Sequence, residues 1–263
     1  MIEPIIFLFT GILIGIAAGL FGLGGGLIIV PVVSYSLILF SNFPIDQAFL
    51  IGISTSLASM VLTGAMATYA HTQNKNVNYS VIYKFIFGVT LGALLVGYII
   101  KMLPGQILKN FFIIYTFFIA YKTYTHKINS NKSSLPNNFF CNVVGFFFSI
   151  ISGLVGIGGA TLFVPYLIKK NMTAKLAIGT SSALGFIIGL TASISIFIGS
   201  IDSVSVKNST FGFIYLPAIL FLTLPSLILV KISANWLLKI SDANVKRLFS
   251  FMLLIIGLLM LLN

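Results

Sequence analysis

The sequence predicts an all-α, polytopic membrane protein of two inverted repeats, each with a Gly-rich broken or re-entrant helix hairpin followed by three transmembrane helices. Three observations carry the prediction. The chain is 58% hydrophobic and 7% charged, with a mean hydropathy of +1.11, whereas a soluble domain carries about 25% charged residues. Apolar runs near ~20 residues recur from end to end, too many and too evenly spread for one core helix. One stretch is also written twice: Gly19-Leu-Phe-Gly-Leu-Gly-Gly-Gly-Leu-Ile-Ile-Val-Pro31 returns as Gly153-Leu-Val-Gly-Ile-Gly-Gly-Ala-Thr-Leu-Phe-Val-Pro165.

The two writings stay in register from Gly19 against Gly153 to Pro31 against Pro165. The pairs 19/153, 20/154, 22/156, 24/158, 25/159, 30/164 and 31/165 are identical, seven of thirteen positions. Glycines followed at fixed spacing by Val-Pro are hard to reach by apolar composition alone, so the stretch reads as an internal duplication. The duplication continues. Thr55, Ser56 and Gly64 match Thr180, Ser181 and Gly189 at a spacing of 125, and Lys109-Asn-Phe-Phe and Lys246-Arg-Leu-Phe open the last apolar segment of each half.

Taken in order, residues 1–125 form an N-terminal membrane repeat with apolar segments at Ile5 to Phe21, Leu27 to Phe40, Ala48 to Tyr69, Val81 to Ile100 and Leu108 to Tyr124. Residues 126–138 form a polar cytoplasmic connector. Residues 139–263 repeat the series at Phe139 to Val155, Thr161 to Ile168, Ala174 to Gly199, Phe211 to Val230 and Val245 to Leu262. The runs lack period-2 alternation and exceed the ~10 residues of a membrane strand. They are therefore helices, because lipid cannot satisfy open backbone. Met1-Ile-Glu-Pro has no basic region before its apolar run, so the first segment is expected to stay rather than be cleaved.

Thr161 to Ile168, at ~1.5 Å per residue, reaches only about 12 Å against a hydrocarbon core of ~30 Å. Each glycine run is therefore expected at the tip of a broken helix or re-entrant hairpin, with Pro31 and Pro165 as helix-break residues. Charge placement favours the hairpin. If each pair of segments around the glycines enters and returns, the fifteen basic residues divide twelve against three, with only Lys101, Lys109 and Lys207 on the poorer side; a single crossing divides them nine against six. The positive-inside rule then puts both termini outside. Five segments per half also invert the second half relative to the first, a recurrent build of secondary transporters.

The chemistry expected at the glycines is anion binding. A run such as Gly22-Leu-Gly-Gly-Gly26 lets backbone approach a ligand closely, and the helix that follows presents unpaired N–H groups and a positive dipole end. Two such starts would bind an anion without a charged side chain. The predicted substrate-binding residues are Gly22, Gly24, Gly25 and Gly26 with Gly156, Gly158 and Gly159, and the hydroxyls of Ser54, Thr55, Ser56, Thr161, Thr180, Ser181 and Ser182. The blander readings are close packing for Gly11/Gly15/Gly19, Gly88/Gly92 and Gly185/Gly189, and bonds to the helix's own i−4 carbonyl for the hydroxyls.

Other classes are disfavoured. The +11 net charge lies in short connectors between apolar runs instead of a basic domain, so no nucleic-acid partner is expected. The glycines lack the Lys-Ser/Thr of a P-loop and the third glycine of a dinucleotide fingerprint. A lone Cys141 forms no intramolecular disulfide or metal cluster. No Asp or Glu lies centrally in a span, and His71, at the basic end of its segment, is the one titrating candidate. No catalytic residue, metal or cofactor is predicted. The expected partners are a small anionic substrate and the lipid bilayer.

The paired Gly-x-Gly-Gly and Val-Pro elements, followed by Thr55-Ser56 and Thr180-Ser181, resemble the TauE/SafE (sulfite exporter) family, as do His71, Val77-Asn78 and Ile201-Asp202. Asn78 departs from the Asp more usual in the first half, and Gly26 has become Ala160 in the second copy. The resemblance covers essentially the whole chain. It implies an inner-membrane transporter that exports small sulfur-containing anions such as sulfite, sulfonates or thiosulfate. A carrier of small organic carboxylates and a non-transporting membrane assembly subunit are the alternatives.

Overall fold

The structure, a computed structural model, describes residues 2–125, 134–200 and 210–262. Most of the connector, with His126, Lys127 and Lys132, lies outside the described residues, as do Ile201, Asp202 and Lys207. The first half holds α1 (Ile2–Phe21), α2 (Gly26–Ser41), α3 (Ile45–Gln73), α4 (Tyr79–Met102) and α5 (Gly105–Thr125). The second holds α6 (Asn138–Val155), α7 (Ala160–Lys169), α8 (Ala174–Ser200), α9 (Leu216–Trp236) and α10 (Asp242–Leu262). Among the described residues six of these, α1, α3, α4, α6, α8 and α9, are long and apolar enough to cross a membrane. The protein is a polytopic all-α membrane protein.

Local chemistry sets several of the boundaries. Asn78 and Asn137 cap α4 and α6, their side-chain oxygens accepting the N–H of Val81 and Phe140, as a free first-turn donor requires. α3 runs for 29 residues, a turn beyond the apolar segment at its C-terminal end; at ~1.5 Å per residue it is longer than the ~30 Å hydrocarbon core is thick.

Two expectations need correction. Phe211 does not begin a helix. It lies in a short antiparallel hairpin, β1 (Thr210–Phe211) against β2 (Ile214–Tyr215), with Thr210 opposite Tyr215. Gly212, at φ 59, makes the turn, and α9 starts where Pro217 fits the first helical turn without needing its missing N–H. The prolines do not end helices either. Pro31 and Pro165 lie inside α2 and α7, and the breaks fall at the glycines before them. Each proline removes one intrahelical bond, to the carbonyl four residues earlier, and the helix continues through it.

Neighbour contacts give the helix directions. α1 runs parallel to α9, since Gly11, Gly15 and Gly19 press on Leu222, Ser226 and Ser233 in turn. α4 runs parallel to α6, with Gly88 on Asn142 and Gly92 on Phe146. In both stripes an added methyl group would strike the partner's backbone or Cβ region, so these small residues allow close helix approach. α3 and α8 cross antiparallel at the centre, Gly64 meeting Phe186 and Gly189 meeting Met60.

α2 runs back against α3, with Val30 near the level of Ile53 and Tyr35 against Phe49. α1 and α2 therefore form a hairpin with its tip at the glycines. Lys75, Lys84, Lys122, Lys169, Lys170, Lys175, Lys231, Lys239 and Arg247 fall toward one end of the bundle and Lys101 and Lys109 toward the other.

Candidate functional site

The two glycine tips meet. A methyl group added at Gly26 would collide with the carbonyl oxygen of Gly156 and stand 2.9 Å from the Cα of Ile157. One added at Gly158 would come 2.6 Å from the carbonyl oxygen of Leu23. Only residues without a Cβ let the two backbones come this close. Gly25 caps α2 at φ 85, a left-handed conformation that a side chain would strain. Gly22, Gly24 and Gly156 also have positive φ, whereas Gly159 caps α7 at φ −55. Among the described residues neither helix start has a side-chain cap, so two positive dipole ends with uncapped N–H groups lie at the tips that meet.

Each tip is cradled by the long helix of the other half. Gly22 lies against Ile178 and Ser182 of α8, and Gly156 against Ile53 of α3. Gly24 lies against Met60, near the middle of α3. Ser56 donates to the carbonyl of Gly156 at 2.7 Å, and Thr63 donates to the carbonyl of Gly24 at 2.8 Å. The tips are thus fixed near mid-bundle by hydroxyl groups, with no charged side chain among these contacts.

The remaining predicted hydroxyls divide by role. Ser54 and Ser182 donate to their own helix at Leu50 and Ile178, 2.8 and 2.9 Å away, the local bonding that short hydroxyl side chains favour in helices. Thr55 accepts the backbone N–H of Tyr215 at 2.9 Å and Thr180 that of Asn78 at 3.0 Å. Among the described residues both keep their own hydrogen free. Thr161 shares a hydrogen bond with Tyr115. Ser181 is fully buried and its hydroxyl has no partner among the described residues. It is the counterpart of Ser56, so the two halves differ where the sequence matches.

His71 is buried near the basic end with its ring directed at the backbone of Gly19, and neither ring nitrogen nor the side-chain nitrogen of Asn76 makes a well-formed hydrogen bond among the described residues. Its Cβ faces Gly179. Thr63 and Tyr115 were not singled out from the sequence. Thr63 was within reach, since it stands two turns after Ser56 on one face of α3. Tyr115, in an ordinary apolar run, gave no signal.

The model of a known family, described as sulfite exporter TauE/SafE, matches residues 7–260 of the chain. The chain belongs to the TauE/SafE sulfite exporter family. Curated relatives agree with the membership. A "Probable membrane transporter protein" of Haemophilus influenzae is 27% identical over 257 residues, covering 97% of each chain. One of Methanocaldococcus jannaschii is 26% identical over 263 residues, covering 96% of this chain and 93% of its own. One of Bacillus subtilis is 26% identical over 211 residues, covering 73% and 77%. No solved structure matches the chain. The chain is thus a multi-pass membrane transporter of the TauE/SafE family, with the paired glycine tips as its candidate site.

Proposed function

We propose that the protein is a secondary transporter, working as an exporter, of small sulfur-containing oxyanions such as sulfite, sulfonates or thiosulfate. The observation that carries this reading is the meeting of two uncapped helix starts near mid-bundle. Backbone N–H groups and dipole ends stabilise an anion there, and the unpaired hydroxyl of Ser181 adds a buried donor. The free hydrogens of Thr55 and Thr180 serve the same end. Such a site needs no cofactor, metal or catalytic side chain, and we assign none.

In this reading residues 1–125 and 139–263 are inverted copies joined by the connector. The antiparallel crossing of α3 and α8, with α1 on α9 and α6 on α4, supports that relation. Substrate held between the copies would be exposed to each side in turn as the tips part. The excess of basic residues at one end supports a cytoplasmic face there and both termini on the periplasmic side of the inner membrane.

The test is thermal stability of detergent-purified protein against sulfite, thiosulfate, sulfate, a C2 sulfonate and acetate. A ligand that binds only the folded state raises the melting temperature. Selective stabilisation by a sulfur oxyanion is expected. Stabilisation by acetate alone would replace this reading with carboxylate transport, and a flat response to the panel would remove the anion site.

A further inference from the structure

The bundle is not filled along the second hairpin. A cavity of about 260 Å³ runs beside α7, bordered by α5, α8 and α10. Its walls are apolar, with Leu162, Val164 and Ile168 of α7 facing Ile119 and Phe249. Among the described residues its charged lining residues are Lys122 and Lys169, both exposed, and none is acidic. Tyr166 also lines it, with a hydroxyl that is buried and has no partner among the described residues.

The matching stretch of the first hairpin is more closely packed at Val30 and Ser34, both fully buried, while Pro31, Val32 and Tyr35 stay half-buried. Tyr35 donates to the carbonyl of Met260 at 3.3 Å and meets Phe49 edge-on at 6.0 Å. Val30 and Val164 occupy the same place in the duplicated motif, yet Val30 is 0% exposed and Val164 only partly buried. The second half therefore leaves a cleft where the first half packs. From Ala160 to Lys169 the cleft follows α7 for roughly 13 Å, close to half of a ~30 Å hydrocarbon core.

We propose that this cleft holds one acyl chain of an anionic phospholipid from the leaflet at the basic end, with its phosphate between Lys122 and Lys169. Below the helix start at Ala160, the apolar walls at Leu162, Val164 and Ile168 give a water-soluble oxyanion nothing to replace its hydration. An acyl chain instead restores the dispersion contacts that an empty cleft forfeits. The lysines stand at the exposed end, where a headgroup sits and where each basic residue attracts anionic lipid. The hydroxyl of Tyr166 donates to a phosphate or ester oxygen. The bound lipid wedges α7 against α8 and so steadies the second glycine tip.

The test uses the full-length protein in detergent micelles, titrated with phosphatidylglycerol, phosphatidylcholine or glycerol 3-phosphate while thermal stability is followed. Phosphatidylglycerol should raise the melting temperature, and the zwitterionic lipid and the tail-less phosphate should not. The double variant Lys122→Gln/Lys169→Gln should lower the apparent affinity for phosphatidylglycerol on the order of thirtyfold. Lys75→Gln/Lys231→Gln, which removes two exposed lysines outside the cleft, should change it by less than about threefold. Equal stabilisation by phosphatidylcholine, or equal loss in the two double variants, would overturn the site. A second measurement places Val164→Cys in a Cys141→Ala background. Labelling by a charged, membrane-impermeant thiosulfonate that phosphatidylglycerol does not slow would show a water-filled vestibule and overturn the proposal; protection by the lipid supports it.

Discussion

The hydroxyl of Thr180 accepts the backbone N–H of Asn78 at 3.0 Å, and the matched hydroxyl of Thr55 accepts that of Tyr215 at 2.9 Å. Asn78 and Tyr215 are the N-cap residues of α4 and α9. Each half thus steadies the start of the other half's fourth helix. Thr180→Val keeps the side-chain shape and leaves that N–H without its acceptor, a cost of about 1–3 kcal/mol. A lower melting temperature for Thr180→Val, with Thr180→Ser near wild type, is the expected result. An equal drop in both would mean that the methyl group matters instead.

Gly26 and Gly185 should respond oppositely to alanine. At Gly26 the new methyl group meets the carbonyl of Gly156 and the Cα of Ile157, backbone that cannot swing aside. At Gly185 the nearest atom is the backbone nitrogen of Gly159 at 3.5 Å, an ordinary contact. Overpacking of this kind costs about 1–3 kcal/mol or more, whereas alanine within a helix gains up to about 1 kcal/mol over glycine. Gly26→Ala should melt early or fail to yield a monodisperse protein, and Gly185→Ala should match or exceed wild type. If both were tolerated, the tips would not be in contact.

The duplicated glycine stretch made the breaks in both hairpins legible, because its spacing survives in two copies and its second arm is too short to cross lipid. Helix number followed from the apolar runs for the same physical reason: a span must satisfy its own backbone. The partners of the hydroxyls were not legible. Whether Ser54 bonds its own helix or Ser56 reaches the other tip depends on which side of α3 the opposite half presses. One-dimensional spacing does not carry that. Pro31 and Pro165 misled because a proline in a membrane helix can be carried through when neighbours support it.

His71 tests whether a buried polar side chain here serves the fold. Neither ring nitrogen has a well-formed hydrogen bond among the described residues, although the ring is directed at the backbone of Gly19, so replacing it with an apolar group removes at most one weak bond and ends the desolvation of a polar group. His71→Leu should keep the melting temperature within about 1 kcal/mol equivalent of wild type, or raise it. A loss beyond about 2 kcal/mol would show that the ring holds a bonded partner such as an ordered water.

Ser56 and Ser181 separate holding the tips from binding the anion. Ser56 spends its hydrogen on the carbonyl of Gly156, so Ser56→Ala should lose about 1 kcal/mol of stability. Ser181 is buried with its hydroxyl unpaired, so Ser181→Ala should cost the fold little or nothing. The proposed anion would be the missing partner of that hydroxyl, and its stabilising effect should fall in Ser181→Ala by the worth of one charge-assisted bond, roughly tenfold in affinity. The two readouts move independently. Unchanged fold and unchanged anion response in Ser181→Ala would take this side chain out of the site, while a lost fold would show that the hydroxyl is held by a protein group.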